Sequence, residues 1–149
     1  MKITLEQAAL AEPEVCIRGE LASPQVTALI AALQRAGGLG KIFLYRDERE
    51  YPFDPGEISF FEARGSKVYA RCGGEEYETR HKLYELCELL ACKGFVQISK
   101  GVVANVDSIR SVEAEFSGNY TALLKDGKTR LTISRKYMRD FRNYVMEVK

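Results

Sequence analysis

From residue 58 to residue 134 the chain is written in short runs of β-branched, aromatic and small apolar residues, each closed by a turn signal before it can lengthen. Runs over 58–63, 67–72 and 75–79 are separated by Arg64-Gly65-Ser66 and Gly73-Gly74, compact turns that suit antiparallel hairpins. Further runs over 95–98, 102–106, 109–116, 120–124 and 129–134 follow. The last two are joined by Lys125-Asp126-Gly127-Lys128, where the Asp-Gly pair predicts a type I′ turn. Only two places leave room for a helix. Residues 82–91 present Leu83, Leu86 and Leu90 to one side before Lys93-Gly94 ends them. After Ser134, Tyr137 and Phe141 stand four apart on a short amphipathic helix and are expected to pack it onto a sheet. Such spacing permits a mainly β domain of short antiparallel strands with two short helices.

The first 56 residues read differently. Two strand-like runs, 1–5 and 15–18, precede a helix opened by Ser23 as N-cap and Pro24 at its first position. Val26, Leu29, Ile30 and Leu33 recur at helical spacing, and Gly37-Gly38 ends the pattern. A strand over 41–45 follows, then a charged, proline-bearing stretch over 46–56 that reads as a wide hairpin or a connector. The expected organisation is a small α/β segment, 1–56, followed by a β module, 57–149.

Several function classes find no support in the chain. The longest apolar stretches, such as 26–33, fall far short of the roughly 20 residues of a membrane span, and the N-terminal residues lack a secretory apolar core. A cytoplasmic protein without membrane insertion is expected. Cysteines 16, 72, 87 and 92 show no C-x-x-C spacing and read as small core hydrophobes in a reducing compartment. Cys87 and Cys92 would stand about 140° apart around a helix, which does not suit a shared metal. Gly37-Gly38-Leu39-Gly40 lacks the Lys-Ser/Thr of a nucleotide cradle. The lone His81 has no nucleophile, carboxylate pair or metal set spaced to work with it, so neither an enzyme nor a cofactor is expected.

Charge is unevenly distributed. The whole chain carries a formal net of +1, residues 1–56 a net of −2 and residues 57–149 a net of +3. Between Lys125 and Lys149 eight basic residues face three acidic ones, a local +5 at the point where the run 129–134 meets the last helix. Cations at a strand end suit a polyanion surface, or equally a solvated helix face.

Three separated pieces decide between these readings. They are Ile58-Ser-Phe-Phe-Glu-Ala-Arg-Gly-Ser-Lys-Val-Tyr69, then Phe95-Val-Gln-Ile-Ser-Lys-Gly-Val-Val-Ala-Asn105 with Val106-Asp-Ser-Ile109, and Leu131-Thr-Ile-Ser-Arg-Lys-Tyr137. In this order, with a helix before the second and a Gly-Asn hairpin before the third, they resemble the LytTR family of bacterial DNA-binding transcription regulators over roughly residues 57–147. The resemblance implies an elongated all-β module that lies along double-stranded DNA and reads successive major grooves from loops and strand ends. Carried over residue by residue, it implies base or phosphate contacts from Ser99 and Lys100, a base contact from Arg135, backbone support from Lys136, and a contribution from Ser66 or Lys67 at the first hairpin tip.

Other residues of the pattern read as architecture. Asn105 is expected to stabilise a turn and Glu62 to brace its hairpin or pair with a basic neighbour. Phe60, Phe61, Phe95, Val103, Ile109 and Leu131 are expected in the core, while Arg142 and Lys149 read as a solvated helix face. Where the family commonly has Arg and His before the second loop and Ser at the position of Gly101, this chain has Gln97, Ser99 and Gly101, which implies a different target sequence.

Many relatives place a receiver domain ahead of the module, and 56 residues are too few for one. The expectation is therefore a stand-alone regulator, probing repeated half-sites as a homodimer, whose first segment dimerises or receives a signal from a partner protein. The rival reading is a protein-interaction module that docks an acidic partner on the basic face.

Overall fold

Alternation along the strands is the first thing the fold makes visible. In the computed structural model, which describes residues 1–11, 13–38 and 40–147, the strand β4 (Lys67–Cys72) buries Val68, Ala70 and Cys72 and turns Lys67, Tyr69 and Arg71 to the opposite face. It lies at the centre of a sheet of seven antiparallel-paired strands. These are β1 (Ile42–Arg46), β2 (Arg49–Phe53), β3 (Phe60–Arg64), β4, β5 (Glu75–Thr79), β6 (Phe95–Ser99) and β7 (Val102–Asn105), in the order β2-β1-β5-β4-β3-β7-β6. A second sheet of three strands, β8 (Ile109–Ala114), β9 (Tyr120–Leu124) and β10 (Arg130–Ile133), runs in the order β10-β9-β8. The helices are α1 (Pro24–Gly38), α2 (Leu83–Leu89) and α3 (Arg135–Glu147).

Two cores form on opposite faces of one part of the large sheet. Adjacent residues on β3 separate: Phe61 enters a core with Leu44, Val68, Leu86, Leu90, Phe95 and Val103, whereas Phe60 enters a second core with Ile98, Ala122, Leu131, Ile133, Met138 and Phe141. Phe95 and Val96, and Val103 and Ala104, divide the same way. Strands β3, β6 and β7 are therefore buried on both sides, which is why these segments read as nearly continuous apolar runs. The α2 leucines cover one face, and the small sheet with α3 covers the other. Asn105, at the end of β7, is buried among them; its amide donates to Ile58 O (3.0 Å) and accepts from Asp107 N (3.0 Å).

The expected mainly β fold of short antiparallel strands thus forms, with strand positions after residue 57 close to the sequence reading, but the surroundings differ. Residues 1–5 and 15–18 form no strand: no neighbouring strand offers them a backbone ladder, and Ile3, Leu5 and Val15 stand exposed. Helix α1 begins as expected, with Ser23 Oγ accepting from Val26 N at 3.3 Å; Leu39 of the Gly-rich stretch lies outside the described residues. The stretch 46–56 is not a connector: it begins with a hairpin turn, as one of the two readings expected, but a tight one instead of a wide one. Asp47 and Glu48 both take positive φ (52° and 64°), the requirement of a two-residue type I′ turn, and join β1 directly to β2. Asp47 suits the first position of such a turn, but Glu48 is not the glycine that would announce the second. Because Tyr45 pairs with Glu78 and both Ile42 and Leu44 enter the first core, the boundary expected near residue 56 falls within one sheet.

Smaller corrections follow from local geometry. Only Gly127 of the Asp126-Gly127 pair has positive φ, so the turn is not type I′. It is a five-residue loop closed by Asp126, whose carboxylate accepts from Lys128 N, Thr129 N and Thr129 Oγ1. Of the four cysteines only Cys72 is a core residue, its thiol pushed up to about 12 by burial; Cys16 and Cys92 are exposed and Cys87 is half-buried. Tyr137 is half-buried, and Met138 and Phe141 carry the packing of α3, with Tyr144 donating its hydroxyl to Ala91 O.

Two outcomes follow. Asn105→Ala leaves Ile58 O and Asp107 N without their buried partner and should cost about 2–4 kcal/mol in urea unfolding. The Asp126 carboxylate, held down to about 2 by its hydrogen bonds to Thr129 and Lys128, stabilises the native loop above pH about 4, and this contribution is lost as pH falls through about 2. An NMR titration of Asp126 in the folded protein should show that depressed midpoint.

Candidate nucleic-acid interface

Hairpins of matched length bring their tips to the same end of a sheet, and here three separate loops are tied together at one end by backbone hydrogen bonds. The tip of the β3–β4 hairpin, Gly65-Ser66, lies beside the β6–β7 turn, because Ala63 N donates to Gly101 O at 2.8 Å. The junction of β10 and α3 joins the same group through Ser134 N, which donates to Ile98 O at 2.9 Å. A register shift between Gln97 and Ser99 bends the end of β6, and Gln97 Nε2 reaches Lys100 O at 3.4 Å across the turn. Ser66, Lys67, Ser99, Lys100, Arg135 and Lys136 are thereby gathered from three loops at one end of the fold.

Their electrostatic states differ. Lys67 points to the open face of the large sheet, 3.8 Å from Glu78. Arg64 is held between Glu62 (3.2 Å) and Glu76 and stacks 4.1 Å above the Tyr69 ring; the Glu76 hydrogen bond raises its already high pKa further. Arg71 lies 3.9 Å from Glu76. The first hairpin therefore carries its own neutralisation, and the pairing expected of Glu62 is present. Lys100, Arg135 and Lys136 are exposed and enter no ion pair among the described residues. Arg135, Arg139 and Arg142 follow one another at i, i+4 and i+7 along α3. Arg142 is more than a solvated cation, since its guanidinium lies 5.6 Å from the centre of the Tyr120 ring. Lys149 lies outside the described residues.

One part of the corner escaped sequence reasoning. Residues 117–119 were legible as the β8–β9 turn, but Asn119 also accepts a hydrogen bond from Arg135 N at 3.0 Å through its side chain, across sixteen residues. Gly118, at φ 93°, lies against the Arg135 side chain. The available signal was the short amide next to a glycine, which marks a turn without naming its distant partner. No group of three or more His, Cys, Asp or Glu capable of holding a metal occurs among the described residues. His81 sits 3.9 Å from Glu85.

Comparison with known proteins identifies the family and the fold. The family model described as the LytTr DNA-binding domain matches residues 48–146. The transcriptional regulatory protein YpdB of Escherichia coli (strain K12) is 27% identical over 101 residues, covering 68% of this chain and 41% of that protein. The sensory transduction protein LytT of Oceanobacillus iheyensis is 29% identical over 97 residues, 64% of this chain and 39% of that protein. The chain thus spans about two fifths of the length of these relatives. A solved LytTr DNA-binding domain from Bacillus cereus superposes with a TM-score of 0.67 at 19% identity, over 72% of this chain and 98% of that one, and shares its fold.

The unequal pairing of the basic residues has a measurable consequence. Lys100→Ala should weaken retention on duplex DNA several-fold and lower the salt dependence by about one phosphate, whereas Lys67→Ala, whose ammonium already faces Glu78, should change both much less. Equal losses from the two variants would show that the Glu78 pair does not shield Lys67.

Proposed function

The chain belongs to the LytTR family of DNA-binding domains, and from that premise we propose that it binds double-stranded DNA sequence-specifically and regulates transcription. The observation that carries the reading is the grouping of three loops at one end, tied by the Ala63–Gly101 and Ser134–Ile98 hydrogen bonds, with Lys100, Arg135 and Lys136 on them in no ion pair among the described residues. The function is binding and not catalysis.

Each residue has a role suited to its place. Arg135 opens α3 on a corner held by β6, so its guanidinium projects from a rigid base and can meet the O6 and N7 of a guanine in the major groove. Lys136, one residue on, faces phosphate. Lys100 at the tip of a two-residue turn adds a point charge, and the hydroxyls of Ser66 and Ser99 fix phosphate oxygens or base edges. Lys67 takes part at lower gain, because it must leave Glu78 to do so. With Gln97, Ser99 and Gly101 in the second loop, the preferred sequence differs from that of relatives that carry other residues there.

The protein acts in the bacterial cytoplasm as a homodimer on repeated half-sites, and the segment ahead of β1 supplies the dimer contact or receives the partner's signal. Support comes from α1, where Val26 is buried but Ile30 and Leu33 remain 38% and 39% exposed along the same apolar stripe. Replacing both Ile30 and Leu33 with Glu should leave the β module folded, shift sedimentation to the monomer and abolish cooperative binding to a two-site duplex. An unchanged dimer would rule out this contact.

The DNA reading itself is tested by selection from a random duplex pool. A single motif should be enriched, with log affinity falling linearly with log salt. Arg135→Ala should cost about 1–3 kcal/mol and flatten preference at one base pair, while Lys136→Ala weakens all sequences alike. Equal affinity for random and selected duplexes would overturn specific regulation.

A further inference from the structure

We propose that the β8–β9 turn is the positioning element for Arg135: Asn119 and Gly118, which need not touch DNA, set where the guanidinium points and so determine how sharply its base pair is read. This inference rests on the assignment of Arg135 as a base contact.

Helix α3 starts at Arg135, so the Arg135 N–H belongs to the first turn, whose donors have no partner within the helix. Its partner here is Asn119 Oδ1, at 3.0 Å, brought from another hairpin. The preceding residue is held on its other side, Ser134 N to Ile98 O, and Tyr137 N closes the first turn on Ser134 O at 2.8 Å. The corner is thus fixed from β6 and from the β8–β9 turn at consecutive residues. The turn then shapes the side chain as well as the backbone. A Cβ at Gly118 would stand 3.3 Å from both Cδ and Nη1 of Arg135, so the guanidinium stem crosses the open space that the missing side chain leaves. Gly118 also holds φ 93°, a conformation that side-chain-bearing residues rarely adopt.

The turn is itself braced. Glu115 N donates to Asn119 O (2.9 Å), Gly118 N to Glu115 O (3.2 Å) and Asn119 N to Ser117 Oγ (3.3 Å). The Glu115 carboxylate accepts from the hydroxyls of Ser117 and Thr121. A turn so cross-linked transmits a definite orientation. An arginine on a free helix end would lose more side-chain entropy on binding and tolerate more than one base.

The test uses the full chain and the duplex enriched from the random pool, with each base pair of the site varied in turn. Asn119→Ala should flatten the same base pair that Arg135→Ala flattens, with an affinity loss of about three- to tenfold, and adding it to Arg135→Ala should cause no further loss. Asn119→Asp keeps the acceptor; it should preserve the preference while its charge weakens binding to all duplexes alike. If Asn119→Ala fails to fold, Gly118→Ala supplies a second readout, since its Cβ crowds the Arg135 side chain and its strained φ disturbs the turn that carries Asn119. Full preference retained in Asn119→Ala or Gly118→Ala, or losses that add to those of Arg135→Ala, would overturn the positioning role and leave the DNA assignment standing. Unchanged selectivity in Arg135→Ala itself would overturn both.

Discussion

Everything in this fold depends on three strands that are apolar on both faces. Phe60 and Phe61, consecutive on β3, point into different cores, and the same division recurs at Phe95/Val96 and Val103/Ala104. A sheet with one wet face could be covered once and left alone. Strands β3, β6 and β7 must be covered twice, by α2 on one side and by the small sheet with α3 on the other. The burial is worth about 1.5–3 kcal/mol for each large apolar side chain, so neither cover is optional. That requirement draws the C-terminal hairpins back over the end of the large sheet, where Ser134 meets Ile98.

The location of the candidate interface follows from this double covering. β3, β7 and β6 are neighbours, so the β3–β4 and β6–β7 turns emerge together, and the small sheet returns β10 to the edge of β6. Loops far apart in sequence become neighbours because their strands share a core. The basic residues then separate by their surroundings. Arg64, Arg71 and Lys67 lie on the open face of the large sheet among Glu62, Glu76 and Glu78, where they stabilise the strand pairing. Lys100, Arg135 and Lys136 lie beyond the strand ends, where they enter no ion pair among the described residues.

Much of the β module was legible because its signals are local. Turn glycines and period-two alternation place β4, β5 and β9 at their observed residues, and Ser23-Pro24 places the start of α1. Asn105 and Glu62 were readable as architecture because each acts on a residue two positions away, Asn105 on Asp107 N and Glu62 on Arg64, although the bond from Asn105 to Ile58 O spans 47 residues. What failed depends on distant partners or on backbone choices. Residues 1–5 and 15–18 have strand composition but pair with no strand, and a strand exists only with a neighbour. The β1–β2 turn uses Asp47 and Glu48 at positive φ, which composition does not announce. The Asn119–Arg135 bond links residues sixteen apart, and nothing in either residue type names the other.

A recognition surface made of turns has a property that a recognition helix lacks. Side chains on a helix share one axis, so moving one for a better contact moves its neighbours. Here each loop is anchored through main-chain atoms, Gly101 O for one and Ile98 O for another, and those anchors are indifferent to the side chains beside them. Ser99 and Gly101 can therefore differ from a relative's residues without loosening the cores beneath, and on the proposed reading the preferred sequence can change one loop at a time. Two of the loops add a side-chain tie to main chain: Gln97 Nε2 donates to Lys100 O in the second loop, and Asn119 Oδ1 accepts from Arg135 N at the corner. At the corner the tie comes from a different hairpin, so on the proposed reading a change in target sequence there would require the turn and the helix start to vary together.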